Sequence, residues 1–308
     1  MTEKQNRLPF IKYIAALLIY GTNGVVASHI PLDSEQIVLL STAIGSVLLM
    51  AVFLLSREKL TFFRYPRSAV FLCFSGVAMG LGWLFLFEAY RTVGVSVGTL
   101  GYYCGPVFVM ALSPVLFGEV LTRWKLLGFG AVVLGMVLLN GQVLGEGGSA
   151  WGLFCGVMSG VMLAALIITN KKAAPIDGLE NSTIQLFTSF LVVALVAGVQ
   201  GGFAMDIPGG AWPYILLLGL VNTGFGIWLY FSSIGHLSVQ TVAICGYLEP
   251  LSAVIFAVLF LAETLSPLQI LGGVLILGGA SFGELYKGRK TAKTFCRSTG
   301  KMVDLLFL

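Results

Sequence analysis

The hydrophobic pattern of this chain is a series of long apolar runs, separated by short segments that carry charge, Gly or Pro. Each run has about 20 residues, the length at which a helix crosses a bilayer, and the runs lack the two-residue alternation of barrel strands. The pattern predicts an all-α membrane protein with ten transmembrane helices, at Phe10–Ile30, Ile37–Leu55, Ala69–Tyr90, Val95–Phe117, Trp124–Asn140, Trp151–Thr169, Ser182–Val199, Ala211–Ile234, Val239–Leu261 and Leu268–Tyr286.

The composition agrees with this prediction and excludes a soluble domain. Hydrophobic residues make up 57% of the 308 positions and charged residues only 10%, with a mean hydropathy of +0.94. Soluble domains carry about 25% charged residues. The lipid bilayer is therefore the first partner that the sequence predicts.

The distribution of basic residues predicts the orientation of the helices. With ten spans and a cytoplasmic N-terminus, every Lys and Arg except Arg91 falls in a cytoplasmic segment, as the positive-inside rule requires. We therefore expect a multi-pass protein of the plasma membrane, specifically of a bacterial inner membrane, with both termini in the cytoplasm. The net charge of +4 reflects this orientation and does not indicate nucleic-acid binding.

The chain also contains an internal repeat. A shift of 144 residues superposes Tyr103 on Tyr247 and Pro106 on Pro250, together with Glu119 on Glu263 and several glycines. The predicted units are residues 1–145 and 146–287, followed by a basic cytoplasmic tail at 288–308. Because each unit holds five helices, the second must cross the membrane in the opposite sense. Inverted repeats around a central cavity at mid-depth are typical of secondary transporters.

Glu249 is the acidic residue that the pattern places near the middle of the membrane. A carboxylate costs several kcal/mol there on some scales and therefore indicates a functional site. It is a candidate for binding a cation or exchanging a proton, and the alternative is a protonated glutamate that only ties helices together. Pro250 is expected to free the carbonyl of Gly246 within a continuous helix, and Pro106 and Pro250 are candidate hinges.

Aromatic and amide side chains supply the remaining candidates for a substrate-binding cavity. Aromatic faces can hold an organic cation, although such residues also pack cores or anchor at interfaces. Amides within spans often bridge helices, each bridge contributing about 0.6 kcal/mol on average. Besides Glu249, the predicted cavity residues are Tyr247, Tyr103, Asn222, Trp83, Trp228, Tyr20 and Asn23.

Several motifs resemble those of a known family. The segment Tyr247-Leu248-Glu249-Pro250, residues 261–269 and the glycine-rich helix from Gly272 to Gly279 resemble the second repeat of the drug/metabolite transporter superfamily, specifically its EamA-type ten-helix carriers. Gly105-Pro106, Gly118-Glu119, Leu121-Thr122 and Gly128 to Gly135 resemble the first repeat. The resemblance implies a basket of ten helices whose cavity is lined by helices 1, 3, 4, 6, 8 and 9. It also implies transport of amino acids, other metabolites or drugs, commonly outward.

The sequence departs from its relatives at two points. Gly105 stands at the position equivalent to Glu249, and the first helix lacks the membrane glutamate that the related small multidrug resistance proteins use for proton exchange. Proton coupling in this chain would therefore depend on Glu249 alone.

Together these features predict a secondary transporter of small organic metabolites that exports by alternating access. No enzyme, cofactor or metal site is expected, because His29 and His236 fall near opposite faces and no catalytic motif is present. The alternatives are a lipid-linked sugar flippase and a non-transporting sensor. Small-xxx-small patterns such as Gly101 to Gly105 favour packing within the chain over a dimer face, so that monomer and homodimer both stay open.

Overall fold

The computed structural model describes residues 7–56, 60–93, 98, 101–140, 149–200, 203, 205–261 and 266–285. The regular secondary structure of these residues is helical, without a β-strand. The predicted basic tail at 288–308 and the repeat residue Glu263 lie outside the described residues.

The helices of the first half follow the predicted apolar runs. Apart from the start of the fourth run, which lies outside the described residues, each run coincides with helical structure. The bounds are α1 Arg7–Gly21, α2 Asn23–Ala27, α3 Ser34–Ser56, α4 Pro66–Val93, α5 Gly105–Phe117 and α6 Arg123–Asn140.

The helices of the second half also follow the predicted apolar runs, with one irregularity. A π-helical segment, Leu217–Phe225, interrupts the run that was predicted at Ala211–Ile234. The bounds are α7 Ala150–Lys172, α8 Gly178–Gln200, α9 Trp212–Leu216, α10 Gly226–Ile234, α11 Val239–Gly246, α12 Leu248–Leu261 and α13 Pro267–Leu285. Seven stretches in the described part of the chain are long and apolar enough to cross a bilayer: Leu8–Ala27, Glu35–Ser56, Pro66–Ala89, Ala150–Lys172, Gly178–Val199, Gly209–Ile234 and Val239–Phe260.

The continuous helix predicted through Pro250 is wrong, because the run breaks at Tyr247. Helix α11 ends at Gly246 and α12 begins at Leu248. Pro250 therefore lies in the first turn of α12, and Pro106 occupies the first turn of α5. A proline in the first turn costs little, because the amide hydrogen that it lacks would have no partner within the helix.

Glycines allow two helices to approach closely beside the cavity. A Cβ atom on Gly101 would lie 2.4 Å from the carbonyl carbon of Gly156, and one on Gly160 would lie 2.6 Å from the carbonyl oxygen of Gly101. Gly105 meets Gly160 in the same way. This small-residue pattern therefore packs α5 and the residues before it against α7, within one chain.

The contact between α6 and α13 is reciprocal. A Cβ atom on Gly135 would lie 2.6 Å from the carbonyl oxygen of Gly272, and one on Gly279 would lie 2.6 Å from that of Gly128. Gly135 and Gly279 are equivalent in the repeat, as are Gly128 and Gly272. The two helices therefore contact each other through the same surface on each side, as in a two-fold symmetric interface.

Candidate functional site

A cavity of about 120 Å³ lies among the helices at the centre of the molecule. Helices α1, α2, α4, α5, α7, α10, α11 and α12 contribute to its wall, together with the π-helical segment. The lining residues are Tyr13, Leu17, Tyr20, Asn23, Met79, Trp83, Tyr102, Tyr103, Pro106, Leu163, Leu166, Ile167, Asn222, Thr223, Ile227, Tyr230, Phe231, Val242, Gly246 and Glu249. Most of these side chains are apolar or aromatic, and a few polar groups converge between them, as in many small-molecule sites.

Glu249 is the one charged residue among the lining residues that the structure describes. It lies in the first turn of α12, directly after the break at Tyr247, and its side chain is partly exposed to the cavity. The side chain of Tyr103 lines the same cavity. Among the described lining residues, the cavity therefore carries a single acidic group.

Tyrosine rings from two helices, α1 and α10, form one wall of this cavity. The ring of Tyr230 lies 5.5 Å from that of Tyr13 and 5.9 Å from that of Tyr20, measured between centroids. The hydroxyl of Tyr13 donates to the carbonyl oxygen of Val242 at 2.8 Å. Aromatic faces beside a carboxylate are a suitable environment for an ammonium group.

Asn222 joins the π-helical segment to the break between α1 and α2. Its amide nitrogen lies 2.7 Å from the Asn23 Oδ1 atom, 2.8 Å from Thr22 Oγ1 and 3.1 Å from the carbonyl oxygen of Ile19. An amide has two hydrogens to donate, so these three acceptors share them. Single π-helical turns often occur at functional sites, and this one places Asn222 in the cavity wall.

The structure brings most of the predicted site residues together. Glu249, Tyr103, Asn222, Trp83, Tyr20, Asn23 and the candidate hinge Pro106 all line the cavity. Tyr247, Trp228 and Pro250 are not among the lining residues.

Physical reasons account for the two displaced aromatic residues. Tyr247 is only 1% exposed, and its hydroxyl donates to the carbonyl oxygen of Tyr103 at 2.7 Å. Trp228 packs against Phe225 at 5.5 Å, and the ammonium of Lys12 lies 4.9 Å from its ring centroid. Both rings are therefore engaged in packing behind or beside the cavity.

Sequence reasoning missed Tyr13, Thr223 and the apolar residues that α7 contributes. Tyr13 had a usable signal, because it precedes Tyr20 by seven residues, or two helical turns, and so lies on the same face of α1. The residues from α7, which are Leu163, Leu166 and Ile167, resemble any other apolar membrane positions in the sequence.

A polar cluster joins the two halves of the chain near the predicted cytoplasmic loops. The Glu119 carboxylate accepts hydrogen bonds from the backbone N–H groups of Val239 at 2.9 Å and Gln240 at 3.2 Å. The Gln240 side chain accepts a hydrogen bond from the Lys125 ammonium and donates to Ser113 Oγ at 3.1 Å. The connection between α5 and α6 is thereby bonded to the start of α11.

Comparison with known proteins identifies the family. The EamA-like transporter family matches residues 9–141 and again residues 150–282. This chain belongs to the EamA-like transporter family. Its family and relatives are transporters and not enzymes, and the apolar helices agree with a multi-pass membrane protein.

Three curated relatives illustrate the similarity. The uncharacterized transporter YxxF of Bacillus subtilis is 24% identical over 91% of this chain and 90% of its own length. The threonine/homoserine exporter RhtA of Escherichia coli K12 is 27% identical over 93% and 94%. A probable terminal-alkyne amino-acid exporter of Streptantibioticus cattleyicolor is 31% identical over 56% and 59%.

A solved crystal structure also matches the fold. It superposes with a TM-score of 0.77 and 19% identity, over 90% of this chain and 98% of the other. At this identity the match concerns the fold alone.

Proposed function

We propose that this EamA-like protein is a secondary transporter that exports small organic metabolites, with amino acids as the first substrate class, by alternating access. The observation that carries the proposal is the aromatic cavity in which Glu249 is the single acidic group among the described lining residues. Two of the relatives are named as exporters of amino acids, which favours that substrate class and the outward direction.

The proposed architecture is ten membrane helices in two inverted five-helix repeats, with both termini in the cytoplasm. The two separate matches to the family support the repeat, and so does the reciprocal contact of Gly135 and Gly279 between α6 and α13. The distribution of Lys and Arg supports the orientation. A single chain encloses the cavity, so the proposed unit of transport is the monomer.

Substrate recognition is proposed to begin with an ammonium group at Glu249. The rings of Tyr13, Tyr20 and Tyr230 present aromatic faces nearby, and cations are attracted to such faces by about 0.5 to 2 kcal/mol. No Lys or Arg occurs among the described lining residues, so a substrate with a net negative charge would find no counterion. Zwitterions and organic cations are the favoured classes.

The transport cycle is proposed to open and close the polar cluster around Glu119. In the present arrangement its bonds to Val239 and Gln240 hold the two halves together at the predicted cytoplasmic side. Opening to the cytoplasm requires these bonds to break. Pro106 and Pro250, in the first turns of α5 and α12, are the proposed hinges, and Glu249 is the proposed proton carrier if transport is coupled to a pH gradient.

Reconstitution in liposomes tests the proposal. Purified protein is placed in vesicles loaded with one unlabelled amino acid or organic cation, and the exchange of labelled threonine, homoserine and aromatic amino acids is measured with and without a pH gradient. We expect exchange well above that of protein-free vesicles. Absence of exchange for every pooled solute would contradict the proposal, and movement of a lipid-linked sugar instead would favour the flippase alternative.

A further inference from the structure

A second cavity lies on the outer surface of the helix bundle, at the start of α4. This groove has a volume of about 390 Å³ and is separate from the central cavity. It extends to Val77, and its main lining residues are Phe62, Phe63, Pro66, Val70, Cys73 and Phe74. Phe63 is 81% exposed and Phe74 is 62% exposed, so the groove opens to the surroundings of the protein.

A buried carboxylate holds the loop that forms one end of the groove. Glu180, only 5% exposed, accepts hydrogen bonds at 2.8 Å from the backbone N–H groups of both Thr61 and Phe62. The ring of Phe62 then packs edge to face against that of Phe63, with 5.4 Å between centroids. The groove is therefore a built feature of the fold.

The length of the groove matches the depth of one membrane leaflet. From Pro66 to Val77 the helix rises about 16 Å, at 1.5 Å per residue. The hydrocarbon core of a bilayer is about 30 Å thick, so one leaflet contributes about 15 Å. An acyl chain that follows α4 would therefore fill the groove along its whole length.

Two exposed cations lie at the end of the groove where α4 begins. Arg64 precedes Pro66 by two residues, and Arg67 follows it directly. No carboxylate of the described residues forms an ion pair with either arginine. Apolar contacts alone would accept any acyl chain, but clustered cations beside a membrane select an anionic head group.

We propose that this groove binds an anionic phospholipid, with one acyl chain along α4 and its phosphate group beside Arg64 and Arg67. The charge complementarity at the end of the groove favours a lipid over a protein partner. The site is independent of the transport cavity, so it stands or falls apart from the proposed function.

Native mass spectrometry of the detergent-purified protein tests this site. The protein is mixed with equal amounts of phosphatidylglycerol and phosphatidylcholine, and the retained lipid is identified by mass. We expect preferential retention of phosphatidylglycerol. In the variant Arg64→Gln/Arg67→Gln that preference should fall by roughly five-fold for each cation removed.

Two controls make the result specific. Arg123→Gln removes another exposed arginine, which lies 5.4 Å over Trp124 much as Arg64 lies 5.9 Å over Tyr65, and it should leave the preference unchanged. Soluble glycerol phosphate should not displace the lipid, because it lacks the acyl chain. Equal retention of both lipids, equal loss in Arg123→Gln, or displacement by glycerol phosphate would each overturn the proposal.

Discussion

The side-chain hydroxyl of Tyr247 donates a hydrogen bond to the backbone carbonyl oxygen of Tyr103, with 2.7 Å between the two oxygens. The two residues are equivalent in the repeat, yet their side chains have different environments. Tyr103 lines the cavity together with Glu249, whereas Tyr247 is 1% exposed and is not among the described lining residues. Equivalent tyrosines therefore have separable roles in binding and in stability.

This difference predicts distinct effects for two conservative variants, one on stability and one on transport. Tyr247→Phe leaves the carbonyl of Tyr103 without this donor at a helix break and should lower the free energy of unfolding by about 1 kcal/mol. Tyr103→Phe keeps that bond but removes a hydroxyl from the cavity that Glu249 also lines, so transport should fall roughly five-fold, the factor for about 1 kcal/mol. Unfolding in detergent and exchange in liposomes measure the two effects. Equal loss of transport in both variants would contradict the assignment.

Removal of the Glu249 charge should impair transport. Glu249→Gln keeps the size of the side chain but replaces a carboxylate that can bind an ammonium group or a proton, and we expect exchange to fall by about ten-fold or more. Any dependence of the rate on pH that Glu249 causes should disappear, while Glu249→Asp should retain it. A wild-type rate with an unchanged pH profile in Glu249→Gln would eliminate proton coupling at this residue.

The hydrogen bonds of Asn222 should stabilise the break in the first membrane run. Asn222→Ala removes the contacts to Ile19, Thr22 and Asn23 and should cost about 1 to 2 kcal/mol of stability, with reduced transport. Ser232→Ala is the matched control, because the Ser232 hydroxyl bonds only to Leu229 in its own helix. If the two variants unfold at the same temperature, the bridge makes no net contribution.

The contact between Gly160 and Gly101 should be too close for an added methyl group. Its added Cβ atom would lie 2.6 Å from the carbonyl oxygen of Gly101, and overpacking of this kind costs about 1 to 3 kcal/mol. Gly130→Ala is the control, since no atom lies within 4 Å of the added methyl group. Thermal unfolding should therefore be lowered in Gly160→Ala and unchanged or raised in Gly130→Ala.

The Glu119 carboxylate, from the first half of the chain, should cap the N-terminus of α11 in the second half. Glu119→Ala removes the acceptor for the N–H groups of Val239 and Gln240, and loss of such a cap costs about 0.5 to 2 kcal/mol. The melting temperature in detergent should fall relative to Asp206→Ala, which changes an exposed acidic residue. A fall of equal size in both variants would show that Glu119 is not a cap.

The sequence was sufficient to locate the helices because lipid leaves the backbone no other way to satisfy its hydrogen bonds. Glu249 was predictable for a related reason, since an acidic residue within an apolar run is rare. The position of the helix break was not predictable, because Pro250 marks the region but is compatible with either a kink or a new helix start. Only the structure shows that the break falls at Tyr247.

The direction of individual side chains also lay beyond the sequence. Tyr247 and Trp228 are residue types that commonly line cavities. In the structure, however, the Tyr247 hydroxyl bonds to the Tyr103 carbonyl and the Trp228 ring packs against Phe225. Asn222 lies inside the π-helical segment, whose hydrogen bonds span five residues instead of four, so the face that it occupies could not be read from a regular α-helical period.

The reciprocal contact between α6 and α13 has a consequence for the ancestry of the fold. An interface in which Gly135 meets Gly272 while Gly279 meets Gly128 needs only one sequence to encode both of its sides. Two copies of a single five-helix chain, inserted in opposite directions, would already possess it. Joining the two proposed repeats in one chain lets each half carry its own residue at a shared position, as with Gly105 in one half and Glu249 in the other, and a homodimer of identical chains does not allow this asymmetry.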